Sequence, residues 1–301
     1  MKRHPNKILK NEQLTLFLHE NNDMKEPELN KFPTEIFGHS FTDNSLSAVN
    51  DLENQYCPYL KRECKKPRKS DPSTKVGICS VGYKGEFLNK AIPVIICPHR
   101  FETQYIFDTI KQNYFPNWKN VKWASEVSIG VGGSVDYVAV NYDNNKIIDF
   151  QCIEFQAAGT TGTPWQAVLD FKEHRKFLQN SYPFGINWAN EFSKTMMQQV
   201  YKKGKIVEHW KRKIIFVFQD VGLDYVRNVC NTSSLRPSND KDPIHFCTFS
   251  LQWKDEDWDF QIKEKVSTDV EGINKILGGA LSDDYPSIER FIENISRKLE
   301  I

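Results

Sequence analysis

The sequence predicts an α/β protein in which helices pack on a sheet. Between residues 101 and 218, one helical pattern is followed by three strand patterns, two helical patterns and an apolar strand. The chain has 301 residues, of which 39% are hydrophobic, which is enough to bury a substantial core. Strands and helices that alternate along one chain are typical of α/β folds.

The elements of the core follow from apolar spacing. Apolar residues at helical intervals predict helices at 101–114, 165–180, 187–201 and 286–299. Alternating or continuous apolar stretches predict strands at 121–129, 134–141, 147–156, 213–218, 245–253 and 258–266. Residues 101–301 are therefore expected to form the core of the protein.

The first hundred residues have a different composition. Residues 1–50 are polar and are expected to form an N-terminal arm or a dimerisation element. Residues 51–100 are rich in Lys, Pro and Gly, which predicts a lobe made mostly of loops with short strands at 76–81 and 91–97. A lobe with so few apolar residues needs an additional source of stability.

Charge is unevenly distributed although the net charge is only +1. Residues 61–75 carry seven Lys or Arg against two acids, and residues 172–213 carry ten against three, whereas residues 254–300 are acidic. The basic segments indicate either a surface that follows a phosphate backbone or ordinary solvated helix faces.

The N-terminus has no apolar signal region, and the longest apolar stretch, at 91–97, is too short to span a bilayer. A cytoplasmic protein without a membrane partner is therefore expected. Seven cysteines in such a chain favour buried, reactive or metal-bound thiols over a disulfide framework.

Two strand patterns place acidic residues close together. Asp136 lies near the start of the 134–141 strand, and Glu154 and Gln156 end the next strand on one face of the pleat. The turn residues at 143–146 favour a hairpin between the strands. Two neighbouring carboxylates suit Mg²⁺, which could promote phosphodiester hydrolysis. Alternatively, one acid caps a strand and the other pairs with a surface lysine.

Four cysteines lie within the lobe, at positions 57, 64, 79 and 97. Four thiolates suit tetrahedral Zn²⁺ or iron, and metal binding would supply folding free energy to the lobe. The spacing lacks a close Cys-x-x-Cys pair, so buried or free thiols are the alternative. His99 is a rival ligand beside Cys97.

The segments Tyr56–Tyr59, Gly77–Val81, Ile95–Phe101, Gly133–Tyr137 and Ile153–Gln156, followed by Gly185–Phe192 and Lys194–Gln199, resemble in order and residues the NotI family of type II restriction endonucleases. The resemblance covers roughly residues 50–220, and the chain length is closer to compact, EagI-like members. The combination is far more specific than any one segment.

This resemblance implies a PD-(D/E)XK restriction-endonuclease-like core with a preceding or inserted four-cysteine lobe that holds structural iron (or zinc). It implies that Asp136 and Glu154 bind catalytic Mg²⁺ and that Gln156 occupies the position where the wider superfamily has lysine. Glu126, on the preceding strand, is a further candidate for binding a second ion or a metal-bound water. The expected substrate is double-stranded DNA at a GC-rich palindrome that contains GGCCG.

A palindromic site implies a homodimer in which each subunit cuts one strand. A DNA methyltransferase is also expected as a functional partner that does not bind this protein directly. Lys172 or Arg175 is expected to approach the scissile phosphate. A non-catalytic, metal-stapled DNA-binding protein remains the alternative, because it would need only the basic segments. The candidates for contact with DNA are Lys65, Lys66, Arg68, Lys69, Lys172, Arg175, Lys194, Gln198, Gln199 and Arg212.

Overall fold

Short strands precede long ones along the chain. The computed structural model describes residues 26–85, 90–130, 133–278 and 287–299. The strands within these ranges are β1 (Pro33–Ile36), β2 (His39–Ser40), β3 (Tyr56–Cys57), β4 (Arg62–Glu63), β5 (Pro67–Arg68), β6 (Asp71–Lys75), β7 (Ile78–Tyr83), β8 (Ile92–Ile95), β9 (Val121–Ser128), β10 (Ser134–Asp143), β11 (Lys146–Gln156), β12 (Thr160–Gly162), β13 (Phe184–Ile186), β14 (Ile214–Gln219), β15 (Arg236–Pro237), β16 (Ile244–Lys254) and β17 (Asp257–Thr268).

Helices cover the strands. Those in the described ranges are α1 (Leu46–Glu53), α2 (Gln104–Tyr114), α3 (Trp165–His174), α4 (Met197–His209), α5 (Asp220–Val229), α6 (Val270–Ile276) and α7 (Ile288–Leu299), together with a 3₁₀ helix at Pro98–Phe101 and a π-helix at Ala189–Met196. The side chain of Thr103 accepts a hydrogen bond from Ile106 N and so caps α2. Helix α3 is shorter than its apolar pattern predicts, because Arg175 takes a left-handed conformation at φ 54° and ends it.

A seven-stranded mixed sheet forms the centre of the described chain, in the order β15-β17-β16-β14-β11-β10-β9. Strand β14 is parallel to both β11 and β16, and the remaining neighbours are antiparallel. Every residue of β14 is buried, which explains why residues 214–218 form an unbroken apolar stretch. The predicted α/β class is confirmed.

The two faces of this sheet are covered by different helices. Val138, Cys152 and Phe216 belong to the apolar cluster that contains residues of α4, whereas Ile153 and Val217 belong to the cluster that contains residues of α2. Side chains alternate between the faces along a strand. Glu154 therefore points to the α4 side, beside its parallel partner Phe216.

A second sheet has the order β2-β1-β7-β8 and contains Cys79 in β7. Residues 33–40, expected within the N-terminal arm, are strands of this sheet, and the side chain of Glu35 is fully buried. Residues 1–25 lie outside the described residues. Gln219, at the end of β14, joins the sheets by accepting a hydrogen bond from Ile95 N at 2.9 Å and donating one to Pro93 O at 2.6 Å.

The described helices include none that is long and apolar enough to cross a membrane.

Candidate active site

Asp136 and Glu154 meet where β10 and β11 separate. The antiparallel ladder between these strands ends at the pair Tyr137 and Ile153. Beyond this pair, the backbone N–H of Phe155 donates to Asp136 Oδ2 at 2.7 Å, and the backbone N–H of Asp136 donates to the Glu154 carboxylate. Carboxylates thus take the place of the missing ladder partners, which fixes both acids at the end of the hairpin.

The cation at this site is Lys203, which the sequence analysis did not select. Its Nζ donates to Glu154 Oε1 at 2.6 Å and to Gln199 Oε1 at 3.3 Å. Glu154 and Lys203 are only 5% and 6% exposed. The predicted helix ended at residue 201, but α4 continues to His209, and Lys203 lies on the face of α4 that buries Val200 and Val207. A lysine at a core-facing position of this helix was the available signal.

Burial and mutual repulsion disfavour ionisation of both acids. Burial, followed by the charge of Asp136, raises the pKa of Glu154 to about 7, although Lys203 opposes this shift. Burial also raises the pKa of Asp136 above its ordinary value. One lysine therefore compensates two carboxylates incompletely, and a divalent cation between them would favour the ionised form of both.

Gln156 lies two residues beyond Glu154 and therefore on the same face of β11. Its Nε2 donates to the carbonyl of Ala157 at 2.8 Å, and its side chain is partly buried. The amide carries no charge, so the ammonium nearest to Glu154 comes from α4 and not from β11.

Glu126 is placed at the edge of the site. In β9 it lies between Ser125 and Val127, the partners of Tyr137 and Val135, and so opposite Asp136. Its backbone has φ 54°, and its side chain is 76% exposed and pairs with Lys65 at 3.4 Å. Glu126 therefore lies opposite Asp136 on the neighbouring strand, but its side chain faces solvent.

A hydrogen-bonded chain of three side chains lies beside Asp136 and was not selected from the sequence. Tyr137 donates its hydroxyl to Glu102 Oε2 at 2.6 Å, and His99 Nδ1 donates to Glu102 Oε1 at 2.5 Å. Burial raises the pKa of Glu102, but the bonds from His99 and Tyr137 outweigh burial and hold this pKa below its ordinary value. Glu102 in turn raises the pKa of Asp136 through its charge.

The donor set at Asp136 and Glu154 suits Mg²⁺ in chemistry, because it consists of carboxylate oxygens with lone pairs beyond those used in the hydrogen bonds above. Within the described ranges, however, no three Cys, His, Asp or Glu side chains are arranged to hold a metal ion as they stand. Two protein carboxylates, water and a phosphate oxygen would therefore have to complete a magnesium shell, as Mg²⁺ commonly requires.

The structure places the four lobe cysteines in two pairs. Cys57 and Cys64 belong to the hairpin of β3 and β4, where Cys64 N donates to Gln55 O. Cys79 lies in β7, and Cys97 follows β8 and donates its backbone N–H to Cys79 O at 3.2 Å. Both pairs are formed by neighbouring backbone segments, and all four thiols are free.

The four thiols are close enough to influence one another. Burial, followed by the charge of Cys97, raises the pKa of Cys79 well above its ordinary value. Burial raises the pKa of Cys97 to about 11, with contributions from Cys64 and Cys57 and an opposing one from Lys66. A metal ion would remove these penalties, since it binds the thiolates directly. The donor set fits iron or zinc, but the sulfur atoms do not form a coordination sphere in their present rotamers.

Several predicted DNA contacts lie within the lobe, in the stretch between Cys64 and Cys79. Lys65 pairs with Glu126, and Lys66 Nζ donates to Ile96 O at 3.4 Å. The Arg68 guanidinium lies 4.7 Å from the ring centroid of Trp165. Of these, Lys65 links the lobe to β9, the strand next to the one that carries Asp136.

The remaining predicted contacts either have partners within the chain or are exposed to solvent. Lys172 Nζ, expected at the scissile phosphate, lies 5.9 Å from the Trp165 ring centroid, and Arg175 Nη2 donates to Asp43 O at 2.6 Å. Arg212 pairs with Asp149 at 2.7 Å. Asp149 precedes Glu154 by five residues on β11, or roughly 17 Å along the strand. Three other candidates, which are solvent-exposed, are Lys69, Lys194 and Gln198.

The sequence matches no model of a known protein family, and a search of curated proteins gives no significant match. The resemblance to restriction endonucleases therefore depends on the sequence segments quoted above alone.

Proposed function

We propose that this protein is a Mg²⁺-dependent endonuclease that hydrolyses double-stranded DNA. The observation that carries the proposal is the group formed by buried Glu154 and Lys203 and by partly buried Asp136, where two strands of a mixed sheet separate. Two carboxylates and one ammonium are the groups that phosphodiester hydrolysis requires in order to hold a cation and compensate a phosphate.

The fold proposed for this core is of the PD-(D/E)XK type. The hairpin of β10 and β11, the parallel neighbours β14 and β16, and the helices on both faces are consistent with such a core. Asp136 and Glu154 then occupy the metal-binding positions, and Gln156 replaces the usual lysine.

The chemical step requires attack by water on phosphorus. A P–O bond to the water oxygen forms while the P–O3′ bond breaks, and its electron pair leaves with O3′. The water loses a proton to solvent and O3′ gains one, so that the products are a 5′-phosphate and a 3′-hydroxyl. Mg²⁺ would supply Lewis-acid activation when bound. Asp136 and Glu154 would hold the ion, and Gln156 would orient the phosphate through its amide.

The proposed substrate is a GC-rich palindrome, cut by a homodimer as a type II restriction enzyme. The basic residues Lys65, Lys66 and Arg68 of the lobe support contact with a DNA backbone. Lys65 pairs with Glu126, which lies on the strand next to Asp136. Exposed Lys194, in the π-helix, and exposed Gln198, in the first turn of α4, remain candidates for contact with bases.

We further propose that Cys57, Cys64, Cys79 and Cys97 bind iron or zinc. The lobe is built from strands of two to six residues, which bury little apolar surface by themselves. A metal bound by four thiolates would fix the position of the Cys57–Cys64 pair relative to the Cys79–Cys97 pair. His99 and Glu102 follow Cys97 within five residues, so such a metal would also fix the position of Glu102, which contacts Tyr137.

The test is cleavage of a plasmid that carries CGGCCG sites, in Mg²⁺ buffer, by the wild type and by Asp136→Ala. We expect discrete cuts at one palindrome and at least a ~100-fold loss of rate in the variant, because the site loses a charged ligand. Sequencing of the ends identifies the target. Retarded but uncut DNA would instead support the non-catalytic DNA-binding alternative. A protein that neither cleaves nor binds the plasmid would contradict both functions.

A further inference from the structure

We propose that Lys203 supplies to the scissile phosphate the positive charge that Gln156 lacks. This inference rests on the proposed nuclease function and assigns the cation of that site to α4. The geometry is the main argument, since Lys203 Nζ lies 2.6 Å from Glu154 Oε1.

The ammonium has capacity for one more acceptor. A lysine has three N–H donors. Two acceptors are found for Lys203 within the described chain, namely Glu154 Oε1 and Gln199 Oε1. The third N–H is therefore available to a phosphate oxygen bound beside Glu154, and Gln199 helps to hold the ammonium in place.

The packing of α4 brings the lysine to this position. Gly204 follows Lys203, and a Cβ atom at Gly204 would lie 2.5 Å from Ile244 Cδ1. The absence of a side chain at residue 204 allows α4 to lie close to β16, so the adjacent lysine reaches the strand ends. A π-helix at Ala189–Met196 leads directly into α4, and such segments are common at functional sites.

The charges of the site favour a role beyond that of a counterion. A lysine that only neutralised Glu154 would be redundant once Mg²⁺ bound the same carboxylate. With Mg²⁺, Asp136, Glu154 and Lys203 the site carries a net charge of about +1, which suits an anionic phosphate and the charge that develops on it. Without Lys203 this positive excess disappears.

The experiment measures single-turnover cleavage of the CGGCCG plasmid by wild type, Lys203→Met and Lys202→Met. Lys202 is exposed on the same helix, so its variant is a matched control for the loss of one positive charge. We expect Lys203→Met to lower the cleavage rate constant by ~100-fold or more and Lys202→Met to change it by less than ~3-fold. DNA binding in Ca²⁺ and thermal unfolding are recorded for each variant.

A second variant separates catalysis from structural support. Gln156→Lys restores an ammonium on the same face of β11 as Glu154, so Gln156→Lys/Lys203→Met is expected to recover at least ~10-fold of the lost rate. A purely structural role predicts no such recovery. Lys203→Gln, which keeps a hydrogen-bond donor without the charge, replaces Lys203→Met if that variant does not fold.

The outcomes distinguish the two levels of the proposal. If the wild type cleaves and Lys203→Met or Lys203→Gln cleaves equally well, the role of Lys203 is refuted and the nuclease function stands. If the loss in Lys203→Met is not recovered by Gln156→Lys, the lysine is structural and the inference is refuted. If the wild type cleaves no DNA, the nuclease function fails and the inference fails with it.

Discussion

The ion pair of Glu35 and Arg100 connects the cysteine lobe to the core, and its removal gives a quantitative test of the structure. Arg100 Nε donates to Glu35 Oε1 at 2.7 Å, and both residues are buried. Ser80 donates a hydrogen bond to the same carboxylate at 2.6 Å. Arg100 Nη2 also donates to Trp258 O at 2.5 Å, so the pair joins β1 and β7 to β17.

The perturbation is Arg100→Met, which removes the charge and both hydrogen bonds but keeps much of the side-chain volume. Glu35 then remains at 0% exposure without a cation. Removal of one partner of a buried pair costs about 3–5 kcal/mol, and we expect a loss of free energy of unfolding in that range. Burial already raises the pKa of Glu35, and Arg100 opposes this shift, so the variant takes up a proton on folding and is weakened most at high pH.

The assay is urea unfolding of wild type, Arg100→Met, Glu35→Gln and the double variant at pH 8. We expect the sum of the losses of free energy of unfolding in the two single variants to exceed the loss in the double variant, which corresponds to a coupling energy of ~1–3 kcal/mol. Arg227→Met is the control, because its pair with Glu264 is 38% and 39% exposed and is expected to contribute no more than ~1 kcal/mol. A loss in Arg100→Met no larger than that in Arg227→Met would refute the reasoning.

Two further predictions concern His245 and the cysteines. His245 is fully buried, donates from Nε2 to Asp242 O at 2.8 Å and accepts from Ser238 at Nδ1, and burial lowers its pKa to about 4. As the pH falls, the imidazole of the unfolded state binds a proton before that of the folded state, so the free energy of unfolding should fall by up to ~3 kcal/mol between pH 6.5 and 4. Urea unfolding of His245→Asn should not show this loss with falling pH. The control His209→Asn, at an exposed position, should still show it. For the lobe, we expect elemental analysis to find one iron or zinc ion per chain. Cys79→Ser should lose this metal, and the control Cys152→Ser should retain it. Equal metal content in both variants would contradict the four-cysteine assignment.

The positions of the acids could be predicted from the sequence because they depend on local geometry. Alternation along β11 places Glu154 and Gln156 on one face, and the turn at 143–146 makes β10 its neighbour. The helical and strand patterns of residues 101–268 likewise agree with the observed order, although helices α5 and α6 were not predicted. Helix α5 has a clear apolar face that buries Val221, Leu223 and Val226, so its helical spacing was present in the sequence and was missed. Helix α6 has only seven residues, which is too short for a distinct helical period.

Contacts between distant segments could not be predicted in the same way. Lys203 is 49 residues from Glu154, and Glu102 is 35 residues from Tyr137, so no sequence period connects either pair. Lys172 Nζ lies 5.9 Å from the Trp165 ring centroid, and its expected place at a scissile phosphate stays a prediction.

The sequence by itself determined the α/β class and the hairpin that carries Asp136 and Glu154. These features depend on the spacing of residues within one or two neighbouring elements. The tertiary structure decided which cation reaches Glu154, because that depends on how closely α4 packs on β16 at Gly204. It also decided that Glu35 is a buried anchor and not part of an arm, since burial depends on the sheet that β1 joins.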